Sequence, residues 1–172
     1  MTASSIEKSP TLRHATEADL PAVAEIYAHY VAETVSTFEF DIPDQGEWRQ
    51  RFASITATGL PFLVAEFDGR IAGYAYCGPW KQRPAYRNTV ENSIYLAPWA
   101  TGRGLGGILL DALLIECRAL GIREIIAVIA DSGDPSSPAL HRSRGFVEAG
   151  RLRRVGHKHD RWLDTILMQR SV

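Results

Sequence analysis

The chain has 172 residues, of which 45% are apolar and 23% are charged, and its formal net charge is −1. These values are typical of a globular protein with one core, and the near-neutral charge argues against an obligate nucleic-acid or anionic membrane partner. No apolar run approaches the ~20 residues that a membrane-spanning helix needs, and the N-terminus lacks the apolar stretch of a signal peptide. We therefore expect a cytoplasmic protein with a flexible segment at 1–10 and a single domain at 11–172.

Apolar periodicity predicts an α/β chain whose elements do not alternate regularly. The predicted order is a strand, two helices, three strands, a helix, a strand, a helix and two strands. The strands are predicted at 12–15, 62–67, 70–80, 89–97, 122–130, 146–156 and 162–169. The helices are predicted after Thr16, at 45–56, from a glycine cluster to 120, and up to about 144. Because 122–130 is nearly all apolar, we expect this strand to be buried on both faces.

Two local signals support these boundaries. Thr16 followed three residues later by Asp19 is an acidic variant of the capping box, which marks the start of a helix. Asp68-Gly69 between two apolar runs is the strongest short signal for a β-hairpin.

The glycine cluster between the strand at 89–97 and the next helix is the main functional signal. It contains Gly102, Gly104, Gly106 and Gly107. Glycine lets the backbone approach a ligand closely, and the first turn of a helix offers free N–H groups at the positive end of its dipole. We therefore predict that this turn binds a phosphate-bearing ligand.

Two well-known phosphate-binding motifs are alternatives for this turn. A P-loop requires Lys followed by Ser or Thr after its last glycine, which this turn lacks. The dinucleotide fingerprint G-x-G-x-x-G fits as Gly102, Gly104 and Gly107, with Asp131 as the acid at the end of the next strand. However, too little chain follows the motif to build the rest of a doubly wound sheet.

A third interpretation is the R/Q-x-x-G-x-G/A turn of the GNAT superfamily of acyl-CoA N-acyltransferases, in which backbone amides hold the coenzyme A pyrophosphate. Gly104 and Gly106 fit this pattern, whereas Thr101 stands where Arg or Gln is usual. Since the turn works through its backbone, we expect Thr101 to weaken cofactor binding at most.

Longer segments resemble one family within this superfamily. They are G-P-W-K-Q-R-P-A-Y-R-N-T-V-E at 78–91, A-V-I-A-D at 127–131, D-P-S-S-P-A-L-H at 134–141 and G-H-K-H-D-R-W-L-D at 156–164. Together they resemble the phosphinothricin acetyltransferase family from about 12 to 169. The resemblance implies a GNAT-like fold, with a single mixed, mostly antiparallel sheet flanked by about four helices, and a homodimer.

The same resemblance implies an activity. Such enzymes transfer an acetyl group from acetyl-CoA to the α-amine of a small amino acid such as phosphinothricin, methionine sulfoximine or methionine sulfone. The transfer would occur by direct attack in a ternary complex, without a metal. Two alternatives remain open: an acetyltransferase for another amine, such as a polyamine or a protein N-terminus, and a non-catalytic module that binds coenzyme A.

The amine must lose a proton before it attacks the thioester, so a base is needed. Glu91 occupies the position of the family's base, in a strand of apolar and hydroxylic residues that should raise its pKa. His141 lies where many superfamily members carry a tyrosine acid. His141 is therefore a candidate to protonate the leaving thiolate, but it is equally a candidate contact residue or a packed side chain.

The resemblance also implies binding residues. For acetyl-CoA they are Ile94, Tyr95, Leu96, Gly102, Arg103, Gly104, Leu105, Gly106, Gly107 and Asp134. For the amine substrate they are Phe38, Lys81, Arg83, Tyr86 and Thr89. The cations would hold its anionic ends. Asp134 departs from the family, in which Asn is common, and its contact with the cofactor is therefore in doubt.

The remaining histidines and cysteines point to no further chemistry. His157 and His159 alternate as residues on one strand face do, but the sequence suggests no third zinc ligand near them. Cys77 and Cys117 lack metal-type spacing and are expected to be buried, reduced thiols.

Overall fold

The computed structural model describes residues 9–172. Most of the segment that was expected to be flexible, residues 1–8, therefore lies outside the described residues. Within the described part, no helix is both long enough and apolar enough to cross a membrane.

The described residues form seven strands and four α-helices in the predicted order. The strands are β1 Thr11–His14, β2 Phe62–Phe67, β3 Arg70–Pro79, β4 Thr89–Leu96, β5 Glu124–Ala130, β6 Val147–Lys158 and β7 Arg161–Ser171. The helices are α1 Leu20–Glu33, α2 Gln45–Ala57, α3 Leu105–Ala119 and α4 Ser136–Ser143. Predicted and observed boundaries differ by only one or two residues at most ends.

All seven strands belong to one sheet, in the order β1-β2-β3-β4-β5-β7-β6. Every neighbouring pair is antiparallel except β4 and β5, which are parallel. This arrangement confirms the predicted mixed, mostly antiparallel sheet.

The pairing of β4 with β5 is short, and it leaves a gap in the sheet. The two strands pair only from Thr89 to Glu91 on β4, opposite Glu124 to Ile126 on β5. Beyond these residues β4 continues with β3 and β5 continues with β7, so the two halves of the sheet diverge. A gap therefore opens between the distal halves of β4 and β5.

Helices cover both faces of the sheet. On one face, the buried side of α3 packs on β2, β3 and β4 and contributes Leu109, Leu110 and Leu113 to the core. On the other face, α1 and α2 pack on the sheet through an aromatic cluster, whose main members are Tyr27, Trp48, Phe62, Tyr74 and Tyr95. Edge-to-face and stacked rings of this kind stabilise a core beyond the area that they bury.

The prediction that the strand at 122–130 is buried on both faces is wrong for its second half. The strand begins at Glu124, and Val128 is 38% exposed. The reason is the departure of β4 after Glu91, which leaves Val128 facing the gap rather than a neighbouring strand.

Both local signals are confirmed. The Thr16 N–H donates to the carboxylate of Asp19 over 2.8 Å, which completes the capping box before α1. Asp68 and Gly69 join β2 to β3 with positive φ angles of 53° and 72°, as a two-residue hairpin turn requires.

Candidate active site

A cavity of about 790 Å³ occupies the gap between β4 and β5. Its walls come from the distal halves of these two strands, from the glycine turn before α3, from the start of α4, and from the segment that follows α1. Glu91 and His141 both line it. The cavity therefore brings the predicted base and the predicted phosphate turn together.

Every second residue of β4 directs its backbone N–H and C=O groups into this gap. The Ala97 N–H donates to Ala72 of β3 over 2.8 Å. Because successive residues of a strand direct their N–H and C=O groups to opposite sides, Ile94 and Leu96 direct theirs away from β3 and into the gap. The carbonyl of Leu96 accepts a hydrogen bond of 2.7 Å from the hydroxyl of Tyr30. The backbone of Ile94 and the N–H of Leu96 are thus positioned to hold an extended ligand.

The glycine turn has the geometry of an anion site. Gly102 and Gly104 have φ angles of +74° and +75°, and a side chain at either position would be strained. Gly104 precedes the first turn of α3, and Gly106 lies directly beneath Leu140 of α4. These residues, together with Gly107, line the cavity and place the N-terminus of α3 at its edge.

Four of the predicted cofactor residues have side chains that already contact other residues of the chain. The guanidinium of Arg103 lies 5.2 Å from the ring centre of Phe67, and the side chain of Leu105 is buried in the core. The Asp134 carboxylate lines the cavity, but it accepts two hydrogen bonds of 2.9 Å from the N–H and hydroxyl of Ser136. Any contribution of Leu105 to cofactor binding would therefore come from its backbone, whereas the guanidinium of Arg103 is exposed beside Phe67. Tyr95 likewise lines the cavity, while its ring packs within the aromatic core.

Glu91 is half-buried, and it is the last residue of β4 that pairs with β5. Burial raises the pKa of its carboxyl, and the charge of Lys81 acts in the opposite direction. A carboxylate with a raised pKa holds a proton more strongly than an ordinary one, which suits a general base.

His141 of α4 is buried, with 4% exposure, and its two ring nitrogens both have partners. Nδ1 lies 2.8 Å from the carbonyl oxygen of Ser137, which can only accept, so Nδ1 carries a proton. Nε2 lies 2.9 Å from Nδ2 of Asn92 and accepts from it in the neutral ring. Burial lowers the pKa of His141, which favours this neutral state.

Asn92 was not predicted as a site residue. It is 7% exposed, lines the cavity, and its Oδ1 has no hydrogen-bond partner among residues 9–172. The signal available in the sequence was an amide at a buried position of β4, between the apolar residues Val90 and Ile94.

Glu91 and His141 approach the cavity from opposite faces of the sheet. Consecutive strand residues point to opposite faces, so Glu91 and Asn92 diverge, and His141 contacts Asn92. The glycine turn and α4 lie on the His141 side. A thioester in the gap could therefore face a base on one side while its sulfur lies on the other.

The predicted substrate residues do not all meet at this cavity. Phe38 lines it, together with Ser36 and Thr37. The others line a second cavity of about 500 Å³ between β3, the loop before β4 and the end of α3; they are Lys81, Arg83, Tyr86 and Thr89. Two of the four are nevertheless linked to Glu91: Thr89 lies two residues before it on β4, and the charge of Lys81 lowers the pKa of Glu91.

The other candidate groups lie apart from the cavity. His157 packs against the ring of Trp162 at 4.9 Å, and no group of three or more potential metal ligands occurs among residues 9–172. Asp131, the acid of the dinucleotide interpretation, forms an ion pair with Arg151. Cys77 and Cys117 are buried free thiols with their sulfurs 3.5 Å apart, as predicted for their burial.

Comparison with known proteins gives a consistent result. Residues 12–167 match the family described as Acetyltransferase (GNAT) domain. A phosphinothricin N-acetyltransferase of Alcaligenes faecalis is 48% identical over 94% of this chain and 82% of its own length. An L-methionine sulfoximine/L-methionine sulfone acetyltransferase of Pseudomonas aeruginosa is 38% identical over 94% of both chains.

A solved structure is similarly close. The crystal structure of a GNAT superfamily phosphinothricin acetyltransferase from Sinorhizobium meliloti, in complex with AcCoA, superposes with a TM-score of 0.92. It is 46% identical, and the alignment covers 96% of this chain and 89% of that one.

Proposed function

The chain belongs to the GNAT acetyltransferase family, and on this premise we propose that it acetylates the α-amine of a small amino acid with acetyl-CoA as donor. Phosphinothricin, methionine sulfoximine and methionine sulfone are the proposed substrates. The observation that carries the proposal is the single cavity into which both Glu91 and the glycine turn open.

The cofactor would be held by backbone groups. The diphosphate would lie against the N–H groups of residues 102–107, at the positive end of α3. The pantetheine arm would run along β4 and pair with the backbone of Ile94 and Leu96. This placement would bring the thioester into the gap beside Glu91.

Glu91 would act as the general base. An α-amine is mostly protonated at neutral pH and cannot attack until it loses that proton. Glu91, directly or through a water molecule, would accept the proton as nitrogen bonds to the thioester carbonyl carbon. The oxyanion would be stabilised by β4 backbone N–H groups, and the C–S bond would then break to release the thiolate of coenzyme A. No acyl-enzyme is required.

His141 remains a candidate for protonating the thiolate. The hydrogen bonds with Ser137 and Asn92 leave the neutral ring without a proton on Nε2, so a donor role would first require the ring to be protonated. A lower kcat in His141→Ala with unchanged acetyl-CoA affinity would support the acid role. A weaker acetyl-CoA affinity with unchanged kcat would instead indicate a contact with the cofactor.

We propose that the protein acts as a homodimer in the cytoplasm. Strand β6 lies at one end of the sheet order and exposes Leu152 and Val155, and Trp162 on β7 is 59% exposed. Apolar residues on an edge strand are typical of an interface. Two free thiols and acetyl-CoA as donor favour a reducing compartment. Sedimentation at micromolar concentration would test the dimer, and a monomer there would contradict it.

One observation favours a second candidate, acetylation of another amine. In this chain, Lys81 and Arg83 line a cavity separate from that of Glu91, so their role in binding the substrate's anionic ends is not given by the fold of one chain. An amine without a carboxylate would not need them, and Arg83→Ala would then leave the rate nearly unchanged.

The decisive experiment is thiol release from acetyl-CoA with a panel of amines. The panel contains phosphinothricin, methionine sulfoximine, methionine sulfone, glutamate, methionine and spermidine. Turnover with any of the first three but not with spermidine is the expected result. Turnover with spermidine alone would move the assignment to cationic amines, and binding of acetyl-CoA without any turnover would favour a non-catalytic module.

A further inference from the structure

Lys158, the last residue of β6, is a buried cation that the proposed reaction does not use. Lys158 is only 2% exposed. Its ammonium group donates a hydrogen bond of 2.8 Å to the carbonyl oxygen of Thr37, which lies 121 residues away in the chain. Burying an ammonium group is costly, and burial lowers the pKa of Lys158 although the charge of Glu39 raises it.

The segment that Lys158 contacts forms a wall of the active-site cavity. Ser36, Thr37 and Phe38 follow α1 and line the cavity that also contains Glu91. Their conformation is irregular, so regular backbone pairing does not hold them in place. Their position must instead depend on side-chain contacts from other elements.

Two of these contacts come from the helices that flank the segment. The hydroxyl of Thr37 lies 2.7 Å from the hydroxyl of Tyr27 on α1. The carboxylate of Glu39 accepts two hydrogen bonds, of 2.9 and 3.0 Å, from the guanidinium of Arg51 on α2. Both contacts hold the segment to its own side of the sheet.

Strand β6 supplies the contacts on the far side of the gap. Besides the bond from Lys158, the ring of Phe38 lies so close to Gly156 that a Cβ at that position would collide with it. Gly156 and Lys158 are alternate residues of β6 and therefore face the same side. The segment consequently spans the gap, with Lys158 and Gly156 at its far end.

We propose that Lys158 is a positioning residue for the amine substrate: by binding the Thr37 carbonyl, it holds Phe38 in the wall of the cavity. This inference rests on the proposed amino-acid acetyltransferase function. Its effect falls on the amine side, because the acetyl-CoA side depends on the glycine turn and on β4, which Lys158 does not contact.

The first test is steady-state kinetics of Lys158→Met and Lys158→Arg. Met fills similar space without a charge, and Arg restores a cationic donor. We expect Lys158→Met to raise KM for the amine about tenfold, the scale of one hydrogen bond from a charged donor, with KM for acetyl-CoA changed less than twofold. Lys158→Arg should recover a large part of the loss. Equal changes in both KM values, or an unchanged KM for the amine, would overturn the proposal.

The second test does not require a known substrate. Hydrogen–deuterium exchange of the segment at 34–40 should accelerate in Lys158→Met and remain as in the wild type in Arg49→Met, which removes an exposed cation from the nearby helix α2. Faster exchange in a protein that acetylates none of the amino acids would uphold the anchor and refute the proposed substrate. Unchanged exchange in Lys158→Met would refute the anchor itself.

Discussion

Replacing Glu91 by glutamine tests the proposed base directly. Glutamine keeps the size of the side chain and its place in β4 but cannot accept a proton. Glu91 lines the cavity and burial raises its pKa, with Lys81 as the opposing charge. We therefore expect Glu91→Gln to lose the chemical step while it retains the fold and the binding of acetyl-CoA.

The expected magnitude follows from the role. General-base catalysis contributes typically about 10²–10⁴-fold, so kcat of Glu91→Gln should fall by about 10²-fold or more. Thiol release at saturating acetyl-CoA measures this loss, and Glu148→Gln, which removes an exposed carboxylate from β6, is the control. A Glu91→Gln variant with the rate of the wild type would refute the assignment.

The same substitution should lower kcat but raise the stability of the folded protein. A carboxyl whose pKa is raised in the folded state binds its proton more tightly there than in the unfolded chain. Its contribution to stability therefore declines as pH rises from the unfolded-state pKa through the folded-state pKa. Relative to the wild type, Glu91→Gln should gain in melting temperature across that window and keep the gain at neutral pH.

The pH dependence of the rate gives an independent check of the base. The acid limb of kcat/KM reports the pKa of the base in the free enzyme, and for Glu91 it should lie above that of an ordinary glutamate. Because Lys81 lowers this pKa, Lys81→Met should move the limb to still higher pH. An acid limb that stays in place would show that another group is titrating.

Two further substitutions test the ion pair before α1 and the glycine turn before α3. Asp19→Asn should destabilise the protein by about 2 kcal/mol, since Asp19 accepts bonds of 2.7 and 2.8 Å from Arg13. Arg13 lowers the pKa of Asp19, so this difference, measured by urea unfolding, should shrink as pH falls through that lowered pKa. Gly104→Ala places a side chain at a φ of +75° and should cost about 1 kcal/mol. It should also weaken acetyl-CoA binding in calorimetry, and unchanged affinity would argue against the turn as the anion site.

The elements of the fold were predictable because their signals are local. The helix α3 follows a glycine turn and repeats apolar residues at helical spacing, and Asp68-Gly69 specifies its hairpin within two residues. The exposure of Val128 was not predictable in this way. It depends on where β4 leaves β5, which is a property of the whole sheet rather than of either strand.

The residues of the candidate site likewise fall into those that could be predicted from local sequence and those that could not. The glycine turn could be proposed from a short motif, and Glu91 could be proposed from the family resemblance together with its place in a strand of apolar and hydroxylic residues. The hydrogen bond from Lys158 to Thr37 could not be predicted, because the two residues are 121 positions apart and no sequence pattern relates them. Buried amides and ammonium groups such as Asn92 and Lys158 look like ordinary polar positions until their neighbours are known.

These observations indicate that the two halves of the site depend on different chemistry. On the cofactor side, the proposed contacts come from backbone groups, and a side chain such as Thr101, which donates to the carbonyl of Pro98 at the surface, can differ from the family pattern without removing them. On the proposed amine side, the wall would depend on side chains contributed by separate elements, such as Phe38 and Lys158. We therefore expect a few substitutions there to change which amine is accepted, while the acetyl donor stays the same.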